Sequence, residues 1–355
     1  MKKILLTGGG TAGHVTPNLA LVPYLRAAGF EIEYMGSYDG IEKTLVEDAG
    51  LSYHGISSGK LRRYLDIKNI TDPARIIKGL HEARKYMKHD RPDVVFSKGG
   101  FVSVPVIFAA SELHIPIVIH ESDLSPGLAN KLSIPRASRV CYSFPETEKY
   151  LSKVHGIHTG LPVRKELTSG SRQEGLKMCG FSDEKPVLMI IGGSLGSAVV
   201  NNAVRNALPE LLSRFNVIHI CGKDKTDPAL AGTAGYTQLE YANEELPHLF
   251  AAADVMISRA GTNVINELAA LKKPSLLIPL STNASRGDQL LNADSFLKRG
   301  FSDVLKEEEM TTQTLVSKVM DVYNKREIYI EAMSQAGSTD PAAAITEVIL
   351  SVVKN

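Results

Sequence analysis

The stretch Lys3-Ile4-Leu5-Leu6-Thr7-Gly8-Gly9-Gly10-Thr11-Ala12-Gly13-His14-Val15-Thr16-Pro17 decides the fold. Its first five residues are a short apolar run, suited to a strand buried on both faces. Residues 8–16 read as a loop. Pro17 sits where a first helical turn accepts proline, and Gly29 is suited to close that helix. The second half repeats this opening. Pro186-Val187-Leu188-Met189-Ile190-Ile191 is a buried-type strand, Gly192-Gly193-Ser194-Leu195-Gly196-Ser197 a glycine loop, and 198–212 a helix. Ile4 and Val187 stand 183 positions apart in a chain of 355 residues.

Outward from these two openings the pattern alternates. Further strands are expected at residues 32–35, 94–97, 117–120 and 140–142, then at 217–220, 255–257 and 275–278, with helical segments between them. Alternating β and α units imply parallel sheets covered on both faces. The reading is α/β, with two doubly wound domains, 1–162 and 163–340, joined near Gly160-Leu161-Pro162-Val163. A last helix, 341–355, is expected to pack back on the N-terminal domain.

Composition narrows the function. Hydrophobic residues make up 43% and charged residues 22%, which excludes wholesale disorder. The 40 basic and 39 acidic residues nearly cancel, so no nucleic-acid partner is expected. Cys141, Cys179 and Cys221 form no C-x-x-C pair and fit a reducing setting. Residues 101–119 are the most apolar stretch, yet they hold Pro105, Glu112, His114 and Pro116. A membrane span does not carry that load. The N-terminus meets Gly8 before an apolar region of useful length develops, so no signal segment is expected.

Gly8 to Gly13 fits G-x-G-x-x-G between a strand and a helix. Such a loop lets backbone N–H groups approach an anion at a helix N-terminus. Dinucleotide binding would also need an acid closing the second strand. That strand ends Met35-Gly36-Ser37-Tyr38, with Asp39 arriving late. The strand after the second loop ends His219-Ile220-Cys221-Gly222, again without an acid. Two phosphate-like ligands, or two tight turns without one, remain open on this evidence. His14 directly follows the first loop, where it serves as a general base or only hydrogen-bonds the loop or a ligand. Ser258-Arg259-Ala260-Gly261-Thr262-Asn263 opens a helix carrying Glu267, a candidate for a ribose diol or a plain solvated residue. Arg286-Gly287-Asp288-Gln289 opens the next helix with typical sugar-hydroxyl partners that are equally typical first-turn residues. No Asp-x-Asp, Cys/His metal spacing, Gly-x-Ser-x-Gly elbow or Walker loop occurs in the sequence. No metal and no cofactor are therefore expected, and Arg164 and helix N-termini would hold a diphosphate.

Seven segments taken in order carry a resemblance. They are Thr7-Gly8-Gly9-Gly10-Thr11-Ala12-Gly13-His14, Lys98-Gly99-Gly100-Phe101-Val102-Ser103, His120-Glu121-Ser122-Asp123-Leu124-Ser125-Pro126-Gly127-Leu128-Ala129-Asn130, Gly160-Leu161-Pro162-Val163-Arg164, Gly192-Gly193-Ser194-Leu195-Gly196, Ser258-Arg259-Ala260-Gly261 and Arg286-Gly287-Asp288-Gln289. From first strand to last helix the chain resembles the MurG family, the UDP-N-acetylglucosamine:undecaprenyl-diphospho-muramoylpentapeptide N-acetylglucosaminyltransferases. The resemblance implies the GT-B fold, two Rossmann-like domains facing across a cleft. It implies inverting transfer of GlcNAc from UDP-GlcNAc to the 4-hydroxyl of lipid I, giving lipid II and UDP in peptidoglycan synthesis. The C-terminal domain would hold the donor and the N-terminal domain the acceptor.

Carried over by motif, Ser194 would touch the diphosphate and Arg164 would neutralise it. Glu267 would grip the ribose, Thr262 and Asn263 would face the phosphates or GlcNAc, and Gln289 the GlcNAc hydroxyls. Thr11, Ala12 and Gly13 would line the acceptor side with His14 beside the reacting hydroxyl, and Gly99 and Gly100 would hold the acceptor diphosphate. Two departures stand out. Asp123 replaces an asparagine of some members; it can still bind a GlcNAc hydroxyl or compete with His14 as base. Leu161 replaces an asparagine beside Arg164.

Other readings are a GT-B glycosyltransferase on another lipid or small aglycone, a UDP-GlcNAc 2-epimerase, and a non-catalytic sugar-nucleotide sensor. A lipid acceptor implies a peripheral enzyme on the cytoplasmic face of an anionic membrane, with other cell-wall synthesis proteins as partners. Residues 60–91 hold ten basic and four acidic groups, interleaved with Leu65, Ile67 and Ile70. Ile76, Ile77, Leu80 and Met87 recur at helical spacing, the pattern of a stripe packed on a sheet.

Overall fold

The computed structural model describes residues 2–59, 68–151, 155–193, 196–281, 287–336 and 340–353. The chain divides into two units, one of Met1–Val163 with Thr339–Asn355, the other of Arg164–Ser338.

The first unit is a parallel sheet of β1 (Lys2–Thr7), β2 (Phe30–Ser37), β3 (Ser52–Ile56), β4 (Val94–Ser97), β5 (Ile117–Glu121), β6 (Arg139–Tyr142) and β7 (Gly156–His158). The strand order is β3-β2-β1-β4-β5-β6-β7. Its helices are α1 (Thr16–Ala27), α2 (Ile41–Asp48), α3 (Lys68–His89), α4 (Ser103–Glu112) and α5 (Leu128–Ser133). The apolar stretch noted in the sequence is α4 and β5, buried in this core rather than in lipid. Gly29 takes φ +83° just past α1, a conformation that disfavours a side chain. Leu161 is buried, so the residue standing in place of a polar neighbour of Arg164 packs in the interior.

The second unit is a six-stranded sheet in the order β10-β9-β8-β11-β12-β13. The strands are β8 (Val187–Ile191), β9 (Asn216–Ile220), β10 (Tyr236–Leu239), β11 (Val255–Ser258), β12 (Ser275–Leu277) and β13 (Ser302–Val304). Helices α6 (Arg172–Cys179), α7 (Ala198–Leu212), α8 (Leu246–Ala252), α9 (Thr262–Ala270), α10 (Asp288–Lys298), α11 (Thr312–Asn324) and α12 (Arg326–Gln335) surround it. The chain then returns to the first unit as α13 (Pro341–Val352). Asp340 caps that helix by accepting from the Ala342 and Ala343 amides, and Ile345, Val348 and Ile349 join Leu21 and Leu25 of α1 in one apolar cluster.

In each sheet the strand order reverses between the first and fourth strands. Thr7 pairs with Ser97 in the first unit and Ile191 with Ser258 in the second, each at the carboxyl edge. Ligands of open α/β sheets bind outside that edge at the reversal. The Gly8 and Lys98 loops leave it in one unit, the Gly192 and Arg259 loops in the other.

Candidate active site

The first unit brings its two glycine loops into contact. Gly100 has φ +86°, and a Cβ there would lie 2.3 Å from the Gly9 carbonyl oxygen, so only glycine fits. Gly99, at φ +91°, lies against the Asn130 amide. Ala12, Gly13 and His14 form a short 3-10 turn before α1, with Thr11 exposed ahead of it. His14 Nδ1 stands 3.1 Å from the Gly9 carbonyl and 3.1 Å from Thr11 Oγ1. A carbonyl has no proton to give, so Nδ1 carries one and donates it. In the neutral ring the basic lone pair is then on Nε2.

One N–H of this first loop already faces an anion. Glu42, at the start of α2, accepts from the Gly10 amide at 3.1 Å and from the Ser37 amide at 3.0 Å. Glu42 stands five residues past β2, beyond the strand end where a dinucleotide-binding acid would sit.

Below the Gly99 loop lies a buried polar group. Lys98 Nζ donates to His120 Nδ1 at 2.6 Å and to Ser122 Oγ. His120 Nε2 donates to the Gly160 carbonyl at 2.8 Å. Burial and the neighbouring ammonium hold His120 far below its usual range, so the ring is neutral. Glu121 accepts from the amides of Asp123 (2.9 Å) and Gly127 (3.2 Å) and from Asn130 Nδ2 (2.8 Å). That carboxyl therefore fixes the shape of the 123–130 loop. Burial pushes it up and draws Lys98 down. The sequence had marked this segment for Asp123 alone.

In the second unit Arg164 and Glu267 are brought together. Arg164 Nε and Nη2 both donate to Glu267 Oε1, at 3.2 and 3.1 Å. Burial raises the Glu267 carboxyl above its usual value and Arg164 opposes the rise. Two side chains read separately in the sequence thus form one ion pair. Gln289 Oε1 accepts from the amides of Ala260 (3.3 Å) and Leu280 (3.1 Å), which ties the loops after β11 and β12 together. Its carbonyl is engaged, so the NH2 group is what it can offer a sugar. Thr262 is buried and its Oγ1 accepts from Asn292 at 3.1 Å, while Asn263 is half-buried beside it on the first turn of α9. Ser194 lies outside the described residues, as does Arg286.

Arg259 is a fastener that the sequence reading quoted without a role. It is buried, donates to Ser197 Oγ and Glu307 Oε1 at 2.6 Å each, and reaches the Ile278 carbonyl at 3.1 Å. Ser197 caps α7 through the Val200 amide. One guanidinium thus holds the second glycine loop to the ends of β11 and β12. Among the described residues no group of three or more His, Cys, Asp or Glu is arranged to hold a metal ion.

The model of the glycosyltransferase family 28 N-terminal domain matches residues 4–142, and that of its C-terminal domain matches 187–348. The chain belongs to glycosyltransferase family 28. Within that family it is 56% identical over 354 residues to a protein of Clostridium botulinum (strain Hall), with 100% of both chains covered. It is 58% identical over 349 residues to one of Lachnoclostridium phytofermentans, covering 98% of each. Both relatives are named UDP-N-acetylglucosamine--N-acetylmuramyl-(pentapeptide) pyrophosphoryl-undecaprenol N-acetylglucosamine transferase. The crystal structure of Acinetobacter baumannii MurG is similar at a TM-score of 0.79 and 25% identity, covering 99% of this chain and 100% of that one. The family 28 chain has the GT-B architecture, and the enzyme is a hexosyltransferase.

Proposed function

We propose that this chain moves GlcNAc from UDP-GlcNAc to the 4-hydroxyl of undecaprenyl-diphospho-MurNAc-pentapeptide, giving lipid II and UDP. The observation that carries the chemistry is the His14 ring held by its Nδ1 proton on the Gly9 carbonyl. His14 Nε2 takes the proton of the acceptor hydroxyl as that oxygen attacks the anomeric carbon from the face opposite UDP. The bond to the diphosphate breaks, UDP leaves with the electron pair, and the configuration inverts.

Stabilising the leaving diphosphate is the largest task. Arg164, the loop containing Ser194 and the α9 N-terminus at Thr262 and Asn263 supply charge and N–H donors for it. Glu267 accepts from the ribose diol through the oxygen that Arg164 leaves to it, and Gln289 donates to GlcNAc. In the first unit Thr11, Ala12 and Gly13 flank the acceptor sugar, Gly99 and Gly100 offer their amides to the acceptor diphosphate, and Asp123 accepts from a sugar hydroxyl. Incubation with UDP-GlcNAc and a soluble lipid I analogue tests this. A β-linked disaccharide and stoichiometric UDP are expected; UDP-ManNAc without acceptor would mean epimerisation instead.

The acceptor's tail stays in the bilayer, so the enzyme works as a peripheral protein on the cytoplasmic face, alongside other cell-wall synthesis proteins. Among the described residues no helix is long and apolar enough to cross a membrane. Met87 is buried and Leu80 partly so on α3, while Ile77 is 68% exposed among exposed Arg75 and Lys78. The stripe thus divides, and Ile77 with its basic neighbours is left to meet lipid. Residues 60–67, with Leu65 and Ile67, lie outside the described residues.

A further inference from the structure

Glu42 is a carboxylate built into the first glycine loop. It is fully buried, and no ion pair reaches it among the described residues. Its donors are the Gly10 amide, the Ser37 amide and the Ser37 hydroxyl. Burial alone would push the carboxyl up, but these hydrogen bonds outweigh it and hold Glu42 below the ordinary range. The space around it is made of glycines. A Cβ at Gly9 would lie 2.5 Å from its carboxyl carbon, and one at Gly40 would lie 2.2 Å from Oε1.

Burying a charge without a cation is expensive unless hydrogen bonds saturate it. Here one donor is the loop's own Gly10 amide, and the other two are the amide and hydroxyl of Ser37 at the end of β2. The carboxylate thus takes up an N–H of the turn itself. It also pins the Gly9–Gly10 peptide from one side, while His14 holds the Gly9 carbonyl from the other. If that peptide turned, the carbonyl would leave Nδ1, and the ring would lose the contact that places its lone pair on Nε2.

We propose that Glu42 is a positioning residue for His14, acting through the Gly9–Gly10 peptide. The proposal rests on His14 as general base. Its test is a double-mutant cycle of Glu42→Gln and His14→Ala, read as kcat with the lipid I analogue, together with the 15N shifts of the His14 ring. Glu42→Gln keeps the shape but meets the inward N–H donors with an NH2. It is expected to lower kcat about 10²-fold, as for a displaced catalytic group, with the Kd for UDP-GlcNAc unchanged. In the His14→Ala background it should cost nothing further. The 15N shifts should report Nδ1–H in the parent and a mixed tautomer in Glu42→Gln.

Equal losses in both backgrounds, or an unchanged tautomer, would overturn the proposal. A separate outcome bears on the underlying reading. If His14→Ala turns over normally while Glu42→Gln still shifts the tautomer, positioning stands and the base assignment falls. Should Glu42→Gln fail to fold, Ser37→Ala removes one donor to the carboxylate without touching the charge, and must show the same dependence on His14.

Discussion

Arg164 places both of its hydrogen bonds on Oε1 of Glu267, a residue 103 positions away on the second turn of α9. The pair is half-shielded, with Arg164 at 38% and Glu267 at 13% side-chain exposure. A guanidinium held this way is oriented before any ligand arrives, which lowers the ordering cost of binding.

Glu267→Ala is therefore expected to weaken UDP and UDP-GlcNAc alike, since a ribose contact is shared by both. Loss of a charge-assisted hydrogen bond costs roughly 1.5–3 kcal/mol. Calorimetry of both ligands checks it, and Arg164→Ala should couple to it rather than add. Because burial raises the Glu267 carboxyl, UDP affinity should begin to fall on the acid side above the ordinary carboxylate range. Unchanged UDP affinity in Glu267→Ala would remove the residue from the donor site.

His219 gives a pH dependence of stability. It is buried between Tyr236 (3.0 Å) and Asn201 (3.0 Å), and burial pulls it down to about 3 from the usual 6.5. The unfolded chain therefore binds a proton below pH 6.5 that the folded unit refuses until about pH 3. Stability contributed this way is full above 6.5 and is lost as pH falls through that window. The slope approaches about 1.4 kcal/mol per pH unit. Hydrogen exchange of β8 and β9 amides between pH 7 and 5 should show it, and His219→Gln should flatten it. An equal slope in the variant would mean that His219 takes up its proton as readily in the fold as in the unfolded chain.

The openings at β1 and β8 were legible because a strand buried on both faces must be apolar and the loop after it must be glycine-rich. The strands β3, β7, β10 and β13 were not. They are short and partly exposed, and Ser52-Tyr53-His54-Gly55-Ile56 has no apolar run to read. Backbone shape was legible where a motif fixes it, as at Gly99 and Gly100, both at positive φ. Partnerships were not. Nothing local in the chain joins Arg164 to Glu267, Arg259 to Glu307, or Glu42 to Gly10, because each pair meets only through sheet topology. Lys98 was quoted inside a glycine motif, and only burial against His120 marks it as unusual.

The exposed side of α3 predicts a membrane response. Each Lys or Arg near an anionic surface contributes about 1 kcal/mol, and the attraction is screened by salt. Arg75→Glu with Lys78→Glu should weaken sedimentation with anionic liposomes, and Ile77→Ser should weaken it further, with UDP binding untouched. Arg62→Glu with Lys68→Glu should act likewise. Equal binding to neutral and anionic vesicles, or indifference to all of these changes, would exclude this face.

The most direct test of the account is the turnover of His14→Ala on UDP-GlcNAc and a soluble lipid I analogue, run with EDTA present. The parent should turn over normally in EDTA, because the proposed mechanism gives the leaving diphosphate to Arg164 and the helix N-termini. The variant should lose about 10²–10⁴-fold in kcat, the usual worth of a general base, while its UDP-GlcNAc Kd stays the same. A variant turning over at nearly the parent rate would contradict the assignment of His14 as the base.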